Sequence, residues 1–388
     1  MEQQIKEYAG LLDLLEDLER EGITGPQKTK AVADFLFIRA RKAGIPYSGG
    51  FELTPLCNFN CKMCYVHLTR EQMEKERQLL PVDAWIDIMR QAADAGMMYA
   101  DLTGGECLTY PGFKEVYLYL LSRGVRVSIL TNGYLLNREM IGFFQQYRPE
   151  AIQVSVYGSN RAAYLKVTGV DGFDQVMENL KVLRESGLAA KVVIMPHRYM
   201  QEDMREMLEL VHQLDMGYSI GDVNLPPRDN TGRDYADFVA DTGLAVRLKV
   251  LDIAYRAKHS EKWQYVPPYK FRVKGGETHG GIPCASGRCG FHVNWRGEVM
   301  PCIPYYKVNR SALTNGFMSA WNSVRQQMQT YQPPDECAAC ELRDRCTICP
   351  GEKTYGILNG PLNPLVCQRL QGILQALEQG GNPNEDAI

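Results

Sequence analysis

Three cysteines offer the clearest chemistry in this chain. Cys57, Cys61 and Cys64 stand in CNFNCKMCY, a C-x3-C-x2-C spacing directly after the first predicted strand. Only three thiolates are presented. A four-iron cubane held by three cysteines leaves one iron open to an outside ligand. A structural zinc site would want a fourth Cys or His nearby, and His67 is the only candidate. A zinc knuckle or a set of redox thiols is the alternative reading of such a triplet.

Twelve cysteines occur in all, and eight of the others fall late. Cys284, Cys289 and Cys302 come first, then Cys337, Cys340, Cys346 and Cys349, and finally Cys367. Eight thiolates satisfy two fully ligated four-iron clusters. They would equally suit two zinc sites, because short cysteine spacings do not identify the metal. Cys107 stands alone between the two groups. The N-terminus, MEQQIKEYAGLLDLLEDLERE, has no basic region followed by an apolar stretch, so it does not read as a secretory signal. The expected compartment is therefore reducing and cytoplasmic, where clustered thiols suggest metal ligands before disulfides.

The remaining composition excludes other classes. The chain has 388 residues, with Lys+Arg 43 against Asp+Glu 46 and no basic block, which argues against a nucleic-acid partner. No 18-residue apolar run is present, so no membrane span is expected. Hydrophobic residues at 45% and charged residues at 23% suit a globular chain long enough to bury a core without disulfides.

The elements that must position the thiols follow a regular pattern. Residues 1 to about 45 read as two helices, with Leu11, Leu12, Leu15 and Leu18 at helical spacing and a second apolar face from Val32 to Ile38. Short apolar runs then appear at Phe51–Leu56, Tyr99–Thr103, Arg126–Thr131, Ala151–Val156, Lys191–Met195 and Ser219–Leu225, each followed by a helical stretch. Parallel strands need helical crossovers, so six strand–helix units predict a parallel α/β sheet or partial barrel. The alternation ends near residue 260. Beyond it Gly, Pro and Cys dominate, with too few periodic apolar residues for a separate core, and folding around bound metal is expected. One amphipathic helix is expected there, over Gly316–Gln329, and Gly297 in NWRGEVMPC reads as a hairpin turn.

A C-x3-C-x2-C triplet after the first strand of a six-unit α/β chain resembles the radical S-adenosylmethionine (SAM) superfamily. The late cysteines are similar to the SPASM extension of that superfamily. The resemblance implies a partial (β/α)6 TIM-type barrel over 48–260, a helical extension over 1–47, and a cysteine-rich SPASM domain with a C-terminal helix over 261–388. It implies a [4Fe-4S] cluster on Cys57, Cys61 and Cys64 whose open iron chelates SAM. Reductive cleavage then gives a 5′-deoxyadenosyl radical that abstracts hydrogen from an unactivated C–H bond. Gly104, Gly105 and Glu106, ending the second strand, match the motif that meets the SAM amino group, and Ser155, in the fourth, matches a ribose contact. Met63 stands where the family usually has an aromatic beside adenine, and its polarizable sulfur can cover a ring face.

For the SPASM extension the resemblance implies two auxiliary [4Fe-4S] clusters. Cys284, Cys289, Cys302 and Cys349 would hold the nearer one; Cys337, Cys340, Cys346 and Cys367 would hold the farther one. The family pattern has three residues where this chain has two, Thr347 and Ile348. Relatives of this branch mostly modify peptides. The expected activity is therefore maturation of a ribosomally made precursor peptide by an oxidative crosslink, with an external electron donor such as flavodoxin or ferredoxin. Formylglycine formation by oxidation of a Cys or Ser in a protein, as in the sulfatase-maturase branch, is the second reading, but that branch carries an Asp base directly after the cysteine corresponding to Cys302, where this chain has Ile303. Epimerisation, a further reading, would use Cys107 as hydrogen donor, against the plainer reading of a small buried residue. Tyr65, Tyr157 and Tyr305 are further residues placed to face the cavity. The segment before Gly49 is short for a winged-helix leader-binding domain. Leader recognition is accordingly expected to be absent, to lie at the barrel mouth, or to come from a separate protein. A non-catalytic zinc module is the reading outside enzymes, and oxygen-labile clusters imply an anaerobic host.

Overall fold

The computed structural model describes residues 13–22, 24–200, 202–221, 228, 239–259, 282–343, 346 and 348–378. Its centre is one nine-stranded sheet. The strands are β1 (Ser48–Glu52), β2 (Tyr99–Thr103), β3 (Arg126–Thr131), β4 (Ala151–Val156), β5 (Ala190–Ile194), β6 (Gly217–Ile220), β7 (Gly290–Val293), β8 (Glu298–Met300) and β9 (Arg310–Ser311). They lie in the order β6-β5-β4-β3-β2-β1-β7-β8-β9, and the six strands from β6 to β1 are all parallel. This is the parallel α/β architecture of a partial barrel.

Helices preceding and joining the strands supply the outer layer. Those used below are α1 (Gly25–Ala43), α2 (Arg70–Glu76), α3 (Val82–Asp94), α4 (Phe113–Ser122), α5 (Arg138–Gln146), α6 (Arg161–Thr168) and α7 (Phe173–Glu185). α8 (Met204–Gln213) and α9 (Thr242–Lys258) follow, then α10 (Phe317–Gln329) and α11 (Pro364–Glu378). A strand turns successive side chains to opposite faces. Phe51 of β1 accordingly packs on Trp85 of α3 at 6.2 Å between ring centroids, while its neighbour Glu52 points the other way. In β4 the fully buried Val154 lies between Gln153 and Ser155, which line the interior cavity described below.

β2, β3 and β4 coincide with the predicted runs. β1 does not: it starts at Ser48 and ends at Glu52, not at Leu56. Glycine is depleted in strands, so Gly49 and Gly50 read as punctuation. In the structure they are bare because Phe291 and His292 of β7 lie where their Cβ atoms would be. β6 ends at Ile220, and residues 222–225 of the expected run lie outside the described residues.

The larger difference concerns the late half. It was expected to have no core of its own and to fold around bound metal; in the structure β7 pairs in parallel with β1 and extends the barrel sheet, with β8 and β9 added antiparallel. The hairpin between β7 and β8 turns at Gly297, whose φ is +77°. Phe317 and Trp321 of α10 pack on Phe291 at 4.9 and 6.0 Å, and Phe291 packs on Phe51 at 5.8 Å. This core is shared with the barrel, and composition counted over the late segment alone misses it. α1 is tied to the same half. Phe37 and Ala40 pack with Tyr47 against Cys289, and Trp321 Nε1 donates to the Gly44 carbonyl at 3.0 Å.

Candidate active site

Loops at the C-terminal ends of the strands enclose a cavity of about 320 Å³. Cys57, Cys61 and Cys64 all line it, and so does Met63. The loop that carries them is fixed by backbone bonds to the end of α6, from Asn60 N to the Thr168 carbonyl and from Lys62 N to the Val167 carbonyl. α2 follows, started by a capping box on Thr69. Sulfur atoms of the triplet already accept hydrogen bonds. Phe59 N donates to Cys57 Sγ at 3.3 Å, Asn132 Nδ2 donates to it at 3.5 Å, and His67 N donates to Cys64 Sγ at 3.3 Å. Burial and the Glu106 carboxylate push the Cys57 thiol up to about 12. It carries charge only when a metal cation takes the place of its proton. Three thiols lining one cavity, with N–H donors to the sulfurs of Cys57 and Cys64, fit an iron–sulfur cluster.

Gly104, Gly105 and Ser155 line the same cavity. Both glycines are dictated by backbone proximity. A Cβ on Gly104 would overlap the Thr54 carbonyl oxygen, and one on Gly105 the Leu56 carbonyl oxygen; Gly104 also has a φ of +147°. The strand end thus lies directly against the chain that leads into Cys57. Gly105→Ala is expected to displace residues 54–56 and weaken SAM binding at least about tenfold, roughly 1.4 kcal/mol. Equilibrium dialysis with labelled SAM measures this, and unchanged affinity would show that the close approach is irrelevant to the cofactor.

Glu106 is placed differently from the expected cofactor contact. It is buried behind the cavity wall, where Oε1 accepts from Leu108 N at 3.1 Å and Thr131 Oγ1 at 2.9 Å, and Oε2 from Asn132 N at 2.7 Å. Burial raises its pKa against the opposing effect of these bonds. Glu106 reaches the site through Asn132, whose Nδ2 bonds Asn58 Oδ1 at 2.8 Å as well as Cys57 Sγ. Asn132 was missed in the sequence, although its place just past the end of β3 was the available signal.

The hydrogen-donor reading of Cys107 is corrected. Its side chain is fully buried, is absent from the cavity lining, and lies 3.3 Å from the Leu130 carbonyl it donates to. Burial, reinforced by Glu106, pushes this thiol well up. A donor to a substrate radical must face the substrate, and this thiol faces the core. Tyr65 and Tyr157 do line the cavity, whereas Tyr305 is buried with its hydroxyl 3.2 Å from Thr354 Oγ1.

A buried ion pair lies beside Tyr65. Arg228 donates from both terminal nitrogens to Glu52, at 2.6 and 2.8 Å, and His292 Nε2 is 3.1 Å from Glu52 Oε1. The guanidinium sits 5.6 Å from the Tyr65 ring and 5.7 Å from that of Tyr306. It thereby joins β1, the loop after Cys64 and the loop after Cys302. No sequence signal links these residues.

The late thiols fall into two neighbourhoods. Cys302 lies within electrostatic reach of Cys349 and Cys284, and Cys289 within reach of Cys284. Cys367 lies within reach of Cys337, Cys346 and Cys340. Tyr331 stands between the groups, near members of both. Among the described residues no three His, Cys, Asp or Glu side chains surround one point as ligands of a single metal ion would.

Residues 51–211 match the Radical SAM superfamily, and this part of the chain is a radical SAM domain. It is 22% identical over 309 residues to the antilisterial bacteriocin subtilosin biosynthesis protein AlbA of Bacillus subtilis, covering 78% of this chain. The chain spans 65% of AlbA's length. To the AdoMet-dependent heme synthase of Methanosarcina barkeri it is 26% identical over 325 residues, covering 77% of this chain and 89% of that one. Its fold is also that of Streptococcus suis SuiB bound to precursor peptide SuiA, with a TM-score of 0.63 at 14% identity over 89% of this chain and 84% of SuiB. No described helix is long and apolar enough to cross a membrane.

Proposed function

We propose that the chain is a SPASM-type radical SAM maturase that forms an oxidative crosslink in a ribosomally made peptide. The observation that carries this is the convergence of Cys57, Cys61 and Cys64 with Gly104, Gly105 and Ser155 on one cavity. The likeness to AlbA and to peptide-bound SuiB supports a peptide as the substrate. In this reading the triplet holds a [4Fe-4S] cluster with SAM against Met63, Gly104, Gly105 and Ser155. The bound pair supplies a 5′-deoxyadenosyl radical. The chain's own part is to hold the sulfurs with N–H donors, to place SAM by bare backbone at Gly104 and Gly105, and to shield the site from water.

The two late neighbourhoods are assigned two auxiliary [4Fe-4S] clusters, Cys284, Cys289, Cys302 and Cys349 holding one and Cys337, Cys340, Cys346 and Cys367 the other. The division at 47/48 and 260/261 into helical extension, barrel and SPASM domain is part of the same proposal, although barrel and SPASM domain share one sheet. An external one-electron donor such as flavodoxin or ferredoxin, a separate leader-binding protein and a cytoplasmic, anaerobic setting complete it.

The test is a mass measurement. The enzyme is reconstituted without oxygen and given SAM, reductant and the short peptide encoded beside its gene. Loss of two hydrogens is expected. An unchanged mass that rises by one deuterium in heavy water would mean epimerisation by a donor other than Cys107. The heme-synthase likeness favours a second reading, with a small molecule as substrate. A peptide untouched under conditions that cleave SAM would favour that reading.

A further inference from the structure

The hairpin between β7 and β8 reaches from the late cysteines to the triplet. β7 starts directly after Cys289, and β8 ends at Met300, just before Cys302. Because β7 runs parallel to β1, the turn after it lies at the same end of the sheet as the loop that follows β1 and carries Cys57, Cys61 and Cys64. The turn is fixed by its own bonds. Asn294, itself buried, accepts from Arg296 N at 3.0 Å and Glu298 N at 3.1 Å, and donates to Glu298 Oε2 at 2.7 Å. Trp295 beside it is 1% exposed and forms a small core with Val66, Leu68 and Met73. Cys64 and Tyr65, which line the cavity, pack against this core. Arg296 adds polar ties to the end of α2: its Nη1 meets Glu76 Oε2 at 2.6 Å, and its carbonyl accepts from Arg77 Nη1 at 2.7 Å. The triplet loop therefore has two supports. Asn60 and Lys62 are bonded to the end of α6, whereas the chain from Cys64 onward packs with Trp295.

We infer that Trp295 is a positioning residue for the site in the barrel: from the β7–β8 turn it seats the segment Cys64 to Leu68, and with it one wall of the cavity. The late half of the chain thereby sets the geometry of a site whose lining residues all belong to the barrel. The inference rests on the reading of that cavity as the SAM site proposed above. Cys64, Tyr65, Val66 and His67 all line the cavity, and Trp295 does not, so it acts through them. Ordering a loop costs conformational entropy at every residue, and a buried indole is among the largest single side-chain contributions that can offset it. The Arg296–Glu76 pair contributes far less, because both side chains are about one-quarter exposed, at 28% and 25%. Two amides report on the seating directly. His67 N donates to Cys64 Sγ at 3.3 Å, and Leu68 N donates to the Pro55 carbonyl at 3.1 Å.

The experiment is amide hydrogen exchange on the anaerobically reconstituted holoenzyme, with SAM affinity measured on the same samples. Trp295→Ala should speed exchange at His67 and Leu68 at least about tenfold, as expected for local opening. Asn60 and Lys62, bonded to α6, should exchange as in the parent. SAM should bind at least about tenfold more weakly, roughly 1.4 kcal/mol. Trp295→Phe, which keeps an aromatic ring in the small core, should recover most of both effects. Trp321→Phe is the control, a buried tryptophan of the same half that packs on Phe291 instead, and it should leave His67 and Leu68 unchanged. If the alanine variant does not fold, Trp295→Leu carries the test with changes of the same sign. Exchange at His67 and Leu68 that stays at the parent rate, or that rises equally at Asn60 and Lys62, would overturn the inference. Faster exchange with unchanged SAM affinity would overturn it too, since the seating would then not matter to the site. A parent protein that binds no SAM would instead contradict the reading of the cavity, a result seen without any variant.

Discussion

Replacing Cys57, Cys61 and Cys64 together by Ala is expected to bring 5′-deoxyadenosine formation down to background. Iron content should fall by about four atoms per chain, the loss of one four-iron cluster. The geometry makes the effect selective. Only these three of the twelve cysteines line the cavity. The loop that carries them is held by its backbone to α6, so it keeps its path without the sulfurs. The eight late thiols lie on other elements and retain their own neighbours. Iron analysis and product chromatography on the same sample check both halves of the prediction. Persisting 5′-deoxyadenosine would place the radical chemistry elsewhere.

The second large effect is on stability. Glu52→Gln removes the carboxylate that Arg228 binds bidentately, beside a guanidinium buried at 6% exposure. Breaking a buried pair from one side costs about 3–5 kcal/mol, because the surviving charge is left uncompensated. Pairing the change with Arg228→Met should recover most of the loss, which a double-mutant cycle in urea would measure. Burial alone would raise the Glu52 pKa, but Arg228 and His292 hold it at about 2. A carboxylate with a lowered folded pKa stabilises fully above its unfolded value, about 4.3, and loses that contribution as pH falls through about 2. The parent protein should therefore lose stability between about pH 4.3 and 2 to a degree that the double variant does not. Equal acid sensitivity in both would show that the pair is not the source.

Much of the barrel was legible in the sequence because the information is local. The runs at Tyr99–Thr103, Arg126–Thr131 and Ala151–Val156 are β2, β3 and β4 to the residue, and a cysteine triplet just past β1 announces its own chemistry. What was not legible depends on partners distant in the chain. Gly49 and Gly50 are strand residues only because β7, some 240 positions later, packs Phe291 and His292 over them. The apolar core of the late half is invisible until β7 is known to lie on β1. Glu52 and Arg228 are 176 residues apart and follow no spacing rule. Glu106 and Cys107 show the opposite failure. Their position in the chain was read correctly, but their orientation depends on Asn132 N and the Leu130 carbonyl, and so on how β3 ends.

The central claim is that the radical made at this cavity takes hydrogen from a peptide. The most direct measurement supplies the loaded enzyme with a precursor peptide deuterated at carbon throughout, then analyses the 5′-deoxyadenosine by mass spectrometry. The account predicts one deuterium carried into each 5′-deoxyadenosine that accompanies a crosslinked product. Unlabelled 5′-deoxyadenosine alongside modified peptide would contradict it.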